Sequence, residues 1–282
     1  MLYDIIYKKV ANMIDSIILK VFKQKNYTLT KLDKGISNQN YLLEVNQNKY
    51  IVRLPYQDNN HIFKRTHEAQ ILKDVTDLDV TTVFFDENTG IKITKYVEDL
   101  YEYKDCPYLD KIERSAYLIK QLHTKAVPTF SFHPVQTLET YKAKVKHPIY
   151  DLSAYEHVIN QIKHLNHKQV LCHNDLVSGN LLFGKEKDYL IDYEYAASND
   201  ALFDVMSFIS ENQIDDSHLR ERFYQVYFET IDDKLRHDLF LWEAFHNILW
   251  CYWAMMLAES RKEVIYKKIA TSKYHALKKM KL

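Results

Sequence analysis

Glycine is scarce in this chain, whose 282 residues contain only Gly35, Gly90, Gly179 and Gly184. No GxGxxG or GxxxxGK[ST] pattern can be assembled from these four, which removes dinucleotide-binding and Walker-type phosphate loops from the front rank. So few glycines are expected only where the backbone turns sharply. Cysteine is scarcer still. Cys106, Cys172 and Cys251 are odd in number, far apart and form no CxxC. That argues against a disulfide framework or a zinc site and for a reducing compartment.

A charge of one sign is also missing, since Lys plus Arg and Asp plus Glu stand at 38 each. Nothing global recommends nucleic acid or an anionic membrane as a partner. The longest uncharged run, Ala244 to Ala258, contains His246 and falls short of the roughly 20 apolar residues a spanning helix needs. The N-terminal MLYDIIYKKVANMIDSIILKVF carries charges throughout its apolar positions, so it reads as an amphipathic helix over 4–24 and not as a signal peptide. The expectation is a cytoplasmic protein without stable membrane insertion or a nucleic-acid partner.

What is present is an ordinary globular composition, 46% hydrophobic and 27% charged. Strand-like pieces come first: NYTLTKL, NYLLEVN and KYIVRLP, with Gln47-Asn48 as the hairpin turn between the last two. Residues 61–75 have helical periodicity with Ile62, Ala69, Ile71, Leu72 and Val75 as the buried stripe. TTVFFD and IKITKYV add two strands around the turn ENTG. Past Tyr96 helical patterns take over at 109–123, 155–167, 201–211, 219–229 and 238–259, interrupted by a single β patch. The pattern predicts an α+β chain in two parts, a small antiparallel-sheet lobe over 1–97 and a mainly helical lobe over 98–282. A short hinge is expected near Tyr96 to Asp99.

The β patch holds the unusual chemistry: VLCHNDLVSGNLLFGKEKDYLIDYEYA, residues 170–196. Carboxylates set among buried strand positions are costly unless paired, hydrogen-bonded or bound to a metal. If Gly184 and Asp188 close the hairpin, paired residues have numbers summing to 372, and Asn180 faces Asp192, roughly 5 Å apart at Cα. Asp175 lies on the loop entering the hairpin. Three oxygen-bearing side chains then converge, a donor set suited to a hard cation such as Mg²⁺. Phosphoryl transfer calls for such an arrangement, because alignment and charge neutralisation supply most of its catalysis. His173-x-Asp175-x-x-x-x-Asn180 has the spacing of a kinase catalytic loop, and Asp192 stands where the following metal-binding acid belongs. Asp175 is expected to orient and deprotonate an alcohol, Asn180 and Asp192 to hold Mg²⁺, and His173 to brace the loop. A non-catalytic kinase-like binding module is the alternative, although such modules typically lose the base or a metal ligand.

HNDLVSGNLLF followed by YLIDYEYAASNDALFDV resembles the choline/ethanolamine kinase family, especially its bacterial choline kinases. These belong to the larger aminoglycoside phosphotransferase group with a protein-kinase-like fold. The resemblance implies ATP and Mg²⁺ as cofactors and a nucleotide-covering loop at Lys34-Gly35-Ile36-Ser37-Asn38, in which Gly35, Ser37 and Asn38 approach phosphate. It implies Arg53 as the basic strand residue on the phosphates, Glu68 as its ion-pair partner, and Tyr96 as a further nucleotide-side residue. Asp204 matches the helix acid that braces the catalytic loop. Glu211, seven residues on and so on the same helical face, matches the carboxylate near the substrate cation.

Choline's trimethylammonium cannot donate N–H hydrogen bonds, so its site must rely on aromatic faces and nearby negative charge. LWEAFHNILWCYWAMMLAES supplies Trp250 and Trp253, with Tyr195 and Tyr266 as further candidates. Family choline kinases carry two Trp three residues apart on this helix. Here the natural alignment places Asn247 and Trp250 at those positions, whereas Trp250 and Trp253 keep the spacing in a shifted register. Choline is the favoured acceptor; ethanolamine, thiamine and an aminoglycoside are the alternatives. An aminoglycoside would demand more carboxylates than this region offers.

Overall fold

The computed structural model describes residues 14–32, 38–55 and 64–281. The expected phosphate-loop residues Gly35 and Ser37, and the first part of the expected 4–24 helix, lie outside the described residues. The chain divides into two compact units, Met1–Asp99 and Leu100–Leu282.

In the first unit residues 14–22 are helical (α1). Five strands follow: β1 (Thr28–Leu32), β2 (Asn38–Val45), β3 (Asn48–Pro55), β4 (Thr82–Phe85) and β5 (Lys92–Lys95), with α2 (Arg65–Asp74) between β3 and β4. They form one sheet in the order β1-β2-β3-β5-β4, every neighbouring pair antiparallel. The period-2 alternation of β2 sends Tyr41, Leu43 and Val45 inward. There Leu43 and Val45 meet Val52 and Leu54 of β3, Ile93 of β5, and Ile14 and Ile18 of α1. Ala69, Ile71, Leu72 and Val75 are buried apolar positions at and just beyond α2. The β2–β3 turn corrects the sequence expectation by one residue. Val45 pairs with Asn48, so Asn46 and Gln47 are the central pair, both left-handed at φ 51° and 62°. A two-residue turn with positive φ at both positions matches the twist of the strands it joins.

The second unit is mainly helical. Its helices are α3 (Lys111–Leu122), α4 (Pro134–Lys144), α5 (Glu156–Ile162), α6 (Ala201–Glu211), α7 (Ser217–Tyr227), α8 (Asp233–Arg261) and α9 (Val264–Lys279). α6, α7 and α8 start on aspartates, Asp200, Asp216 and Asp232, whose side chains accept backbone N–H groups of the first turn. The sequence predicts a single β patch here, but the described residues hold two small sheets. β7 (Gln169–Cys172) pairs with β10 (Ala197–Asp200), while β6 (Tyr101–Glu102), β8 (Leu181–Phe183) and β9 (Asp188–Leu190) align in the order β6-β8-β9. α4 and α9 went unpredicted. No described helix is long and apolar enough to cross a membrane.

α8 runs through the core of this unit and is buried over most of its length. His246 on α8 has no exposed surface. Its Nε2 donates to the Phe203 carbonyl at 2.8 Å and its Nδ1 accepts from Trp250 Nε1 at 3.1 Å. Both ring nitrogens are used by the neutral form. Burial lowers its pKa from 6.5 to about 3. The unfolded chain therefore takes up a proton below pH 6.5 that the folded chain refuses. This residue's contribution to stability is intact at neutral pH and declines by about 1.4 kcal/mol per pH unit below that point. In urea unfolding between pH 7 and 4.5, His246→Gln should lose stability less steeply than the native sequence, and parallel slopes would refute the assignment.

Candidate active site

The loop after β7 is shaped by one carboxylate. Asp204, in the first turn of α6 and without exposed surface, accepts the backbone N–H of His173 on Oδ2 at 2.6 Å and that of Asn174 on Oδ1 at 2.7 Å. His123 Nε2 reaches the same Oδ2 at 3.1 Å. Asn174 takes left-handed backbone, φ 65°, a conformation that Asn tolerates better than most residues. Its buried side chain donates to the Tyr195 carbonyl at 2.9 Å and accepts from Asn199 Nδ2 at 2.8 Å. His173 Nε2 donates to the Ile191 carbonyl at 2.9 Å, which ties this loop to the residue before Asp192. His173 is thus a brace, with its ring buried against Tyr193.

Asp175 follows at the loop's turning point and is partly exposed. Asn180 Nδ2 donates to its backbone carbonyl at 2.8 Å and to its Oδ2 at 3.1 Å. The hairpin register differs from expectation by one residue. Leu181 pairs with Leu190 and Phe183 with Asp188, while Gly184 N donates to Lys187 O, so paired numbers sum to 371 and not 372. Asn180 O consequently accepts from Ile191 N, and Asp192 lies one step beyond the ladder. A slip of one residue normally sends side chains to the other face. Asp192 leaves the strand in left-handed backbone at φ 67° and ψ 66°, and its carboxylate acts more strongly on Asp175 than any other neighbouring charge. Burial first, then Asp192, Glu211 and Glu194, push the Asp175 carboxyl well above the ordinary range, opposed by the Asn180 hydrogen bond. Carboxylates whose charges reach Asp175, beside the Asn180 amide, form an oxygen-bearing set that fits a hard divalent cation. Asp175, Asn180 and Asp192 are therefore brought together.

A second cluster, His123, Cys172 and Asp204, also has metal-ligand spacing. Its Asp204 oxygens are already committed to the loop, and the Cys172 thiol points at the Asn199 and Asp200 carbonyls, with burial pushing its pKa up. That cluster holds the fold.

Around the loop stand the residues singled out for the acceptor. Tyr195 follows Glu194 in the turn after Asp192; its hydroxyl is hydrogen-bonded to Tyr141 of α4, and burial raises both phenols. The ring of Tyr195 meets Trp250 edge-on at 6.1 Å, Trp250 meets Trp253 at 5.8 Å, and Trp253 meets Tyr266 at 5.7 Å. Trp250 is buried and Trp253 half-buried. Asn247, the other aligned position, is buried and accepts from Ser210 Oγ at 3.3 Å. Glu211 lies at the end of α6, where Ser207 and Asn212 hold the Leu176 backbone at 3.1 and 2.8 Å. Lys273 of α9 donates to Glu211 Oε1 at 2.6 Å. Asn174, Tyr141 and Lys273 escaped sequence reasoning. Only Asn174 carried a usable signal, an Asn wedged between His and Asp where a tight loop demands positive φ.

In the first unit Arg53 of β3 is buried and donates to Glu68 Oε1 of α2 at 2.5 Å and to the Gly90 carbonyl at 3.3 Å. Arg65 adds a second guanidinium on Glu68 Oε2 at 3.2 Å. Gly90 has φ 73°, and a Cβ there would stand 2.4 Å from Arg65 Nε, so any side chain would be strained and would displace Arg65. Lys92 pairs with Asp79 at 2.5 Å, another buried ion pair that spacing did not reveal. Asn38 is buried at the start of β2, and Tyr96 is 41% exposed just after β5.

With this geometry in hand, comparison with known proteins finds a match to the family model for choline/ethanolamine kinase over residues 29–243. Protein LicA of Haemophilus influenzae (strain ATCC 51907 / DSM 11121 / KW20 / Rd) is 24% identical over 249 residues, spanning 79% of this chain and 91% of that protein. The solved structure of choline kinase LicA from Streptococcus pneumoniae superimposes with a TM-score of 0.78 at 22% identity, over 96% of this chain and all of that one. A structure of LicA in complex with AMP gives 0.76 at 22% identity, over 95% and 98% of the two chains. At such identities the structural likeness establishes the fold, which is protein-kinase-like. The chain belongs to the choline/ethanolamine kinase family and is a small-molecule kinase.

Proposed function

We propose that the protein transfers the γ-phosphoryl group of ATP to the hydroxyl of choline, with Asp175 as the base that receives the hydroxyl proton. One observation carries this reading: Asn180 is hydrogen-bonded to Asp175, and Asp192 supplies the strongest charge acting on it. That closeness supports reading Asp175 as the base and Asn180 and Asp192 as the oxygen-bearing ligands. Asn180 turns its NH₂ to Asp175, which leaves its amide oxygen as the ligand atom. Asn180 and Asp192 would hold Mg²⁺, which when bound neutralises negative charge on the phosphate oxygens. Asp175 aligns the alcohol, and its position is fixed by Asp204 through the backbone of His173 and Asn174.

For the nucleotide, Arg53 is the proposed phosphate contact and Glu68 the acid that fixes its guanidinium. Gly35, Ser37, Asn38 and Tyr96 are assigned to the same ligand. For the acceptor, the ring sequence Tyr195, Trp250 and Trp253 supports recognition of a trimethylammonium group, for which a desolvated cation–π contact contributes about 2 kcal/mol.

Two substitutions test the two halves of this reading. Asp175→Asn should lower kcat by about 10²–10⁴-fold, the range of a lost general base. Its melting temperature should stay level or rise, because the change removes one of several mutually repelling carboxylates. Turnover at the native rate would exclude Asp175 as the base. Trp250→Ala should raise the KM for choline by about tenfold or more while that for ATP holds steady. A change confined to the ATP KM would remove Trp250 from the acceptor site.

A further inference from the structure

Lys273 is a lysine where a solvated helix face would be expected, yet its side chain is only 8% exposed. α9 delivers it to the end of α6, where Nζ donates to Glu211 Oε1 at 2.6 Å and meets Ser210 Oγ at 3.2 Å. The Glu211 side chain is itself 15% exposed, so this is a largely desolvated ion pair. The end of α6 is tied to the catalytic loop through both backbone groups of Leu176, the residue after Asp175. The acid that the sequence marks for the substrate cation therefore already has a cation on it, close to the proposed base.

We propose that Lys273 sets the preference of this kinase between quaternary and primary amino alcohols by occupying the carboxylate of Glu211. The proposal rests on the reading that the acceptor is a small amino alcohol. A primary ammonium brings three N–H donors into the site and needs acceptors for them once water is removed. Glu211 is the acidic acceptor at this end of α6, and Lys273 has taken it. A trimethylammonium group has no N–H to satisfy; it needs π-faces, which Tyr195, Trp250 and Trp253 supply in succession, and negative charge nearby that does not have to accept a hydrogen bond, as Asp192 and Glu194 provide. Each methyl that replaces an N–H removes one unmet donor. The lysine thus penalises ethanolamine and leaves choline almost untouched.

The test measures kcat and KM of the full chain for ethanolamine, its N-methyl and N,N-dimethyl derivatives, and choline. In the native protein kcat/KM should climb with each methyl. Lys273→Gln should free Glu211 and shrink the choline-to-ethanolamine ratio of kcat/KM by about tenfold, the scale of one donor regaining its partner. The change should come through a lower KM for ethanolamine with kcat little altered. Lys273→Arg, which keeps the charge, should hold the native ratio. An unchanged ratio in Lys273→Gln, equal loss for both alcohols, or an equal shift in Lys273→Arg would each overturn the proposal. Should Lys273→Gln not fold, the methylation series on the native protein still decides, since a flat or falling series contradicts it. If none of the four alcohols is phosphorylated, the amino-alcohol reading fails and this inference with it; turnover without the ratio change sinks this inference alone.

Discussion

Asp204 is the point from which the geometry of the candidate site is built. It sits in the first turn of α6, where the helix N-terminus favours negative charge, and gives both oxygens to backbone N–H groups of the loop after β7. Hydrogen bonds to a charged acceptor are roughly twice as strong as neutral ones. They hold Asn174 in left-handed backbone, which costs an ordinary residue on the order of 1–2 kcal/mol. That bend carries Asp175 off the strand line, to where Asn180 reaches it. The anchor is itself anchored: Asp200 caps α6, and His167 links Asp200 at 2.7 Å to Asp238 of α8 at 3.1 Å.

Both units match ions by direct contact, and the second also crowds acids in one place. In the first, Glu68 receives Arg53 and Arg65, and Asp79 receives Lys92, so buried ions are matched by direct contact. In the second, Asp175, Asp192, Glu194 and Glu211 gather close enough for their charges to be felt at Asp175. Lys273 neutralises Glu211, yet the crowding at Asp175 persists. A protein selected for stability alone would have spread these acids apart. On the proposed function, retaining them makes sense because repulsion among the acids of the free protein becomes attraction to the cation that Asn180 and Asp192 would hold.

Much of this was legible in the sequence, for definable reasons. The strands of the first unit announce themselves by alternation, and α6 by its apolar run between Asp200 and Asn212. The contact between Asp175 and Asn180 was legible because five residues of one loop entering a hairpin keep them within reach of each other. The hairpin register was missed by one because Gly184 was paired with Asp188, whereas Gly184 N closes on Lys187 O. The two-sheet arrangement was missed because Ala197 to Asp200, polar and short, does not look like a strand; its pairing with β7 is a tertiary fact. α9 hid for a related reason: its lysines suggest a solvated surface, and only the end of α6 explains why one of them is buried.

The aromatic helix shows why a stripe of rings cannot be assigned to core or site from spacing. α8 is buried on most sides, so its periodicity points nowhere in particular. Near its start Trp242 packs on Phe203 at 5.5 Å and on Phe245 at 5.5 Å, ring against ring. Two turns on, Trp250 meets edge-on the ring of Tyr195, whose backbone carbonyl accepts from Asn174 of the loop of Asp175 and whose hydroxyl is bonded to Tyr141 of α4. His246 sits between these regions and uses both ring nitrogens, one on the Phe203 carbonyl and one on the Trp250 indole. The same side-chain type therefore serves packing at one end and, on the proposed function, recognition at the other. What stands opposite each ring decides which, and the buried neutral histidine fixes the orientation of the ring proposed to meet substrate.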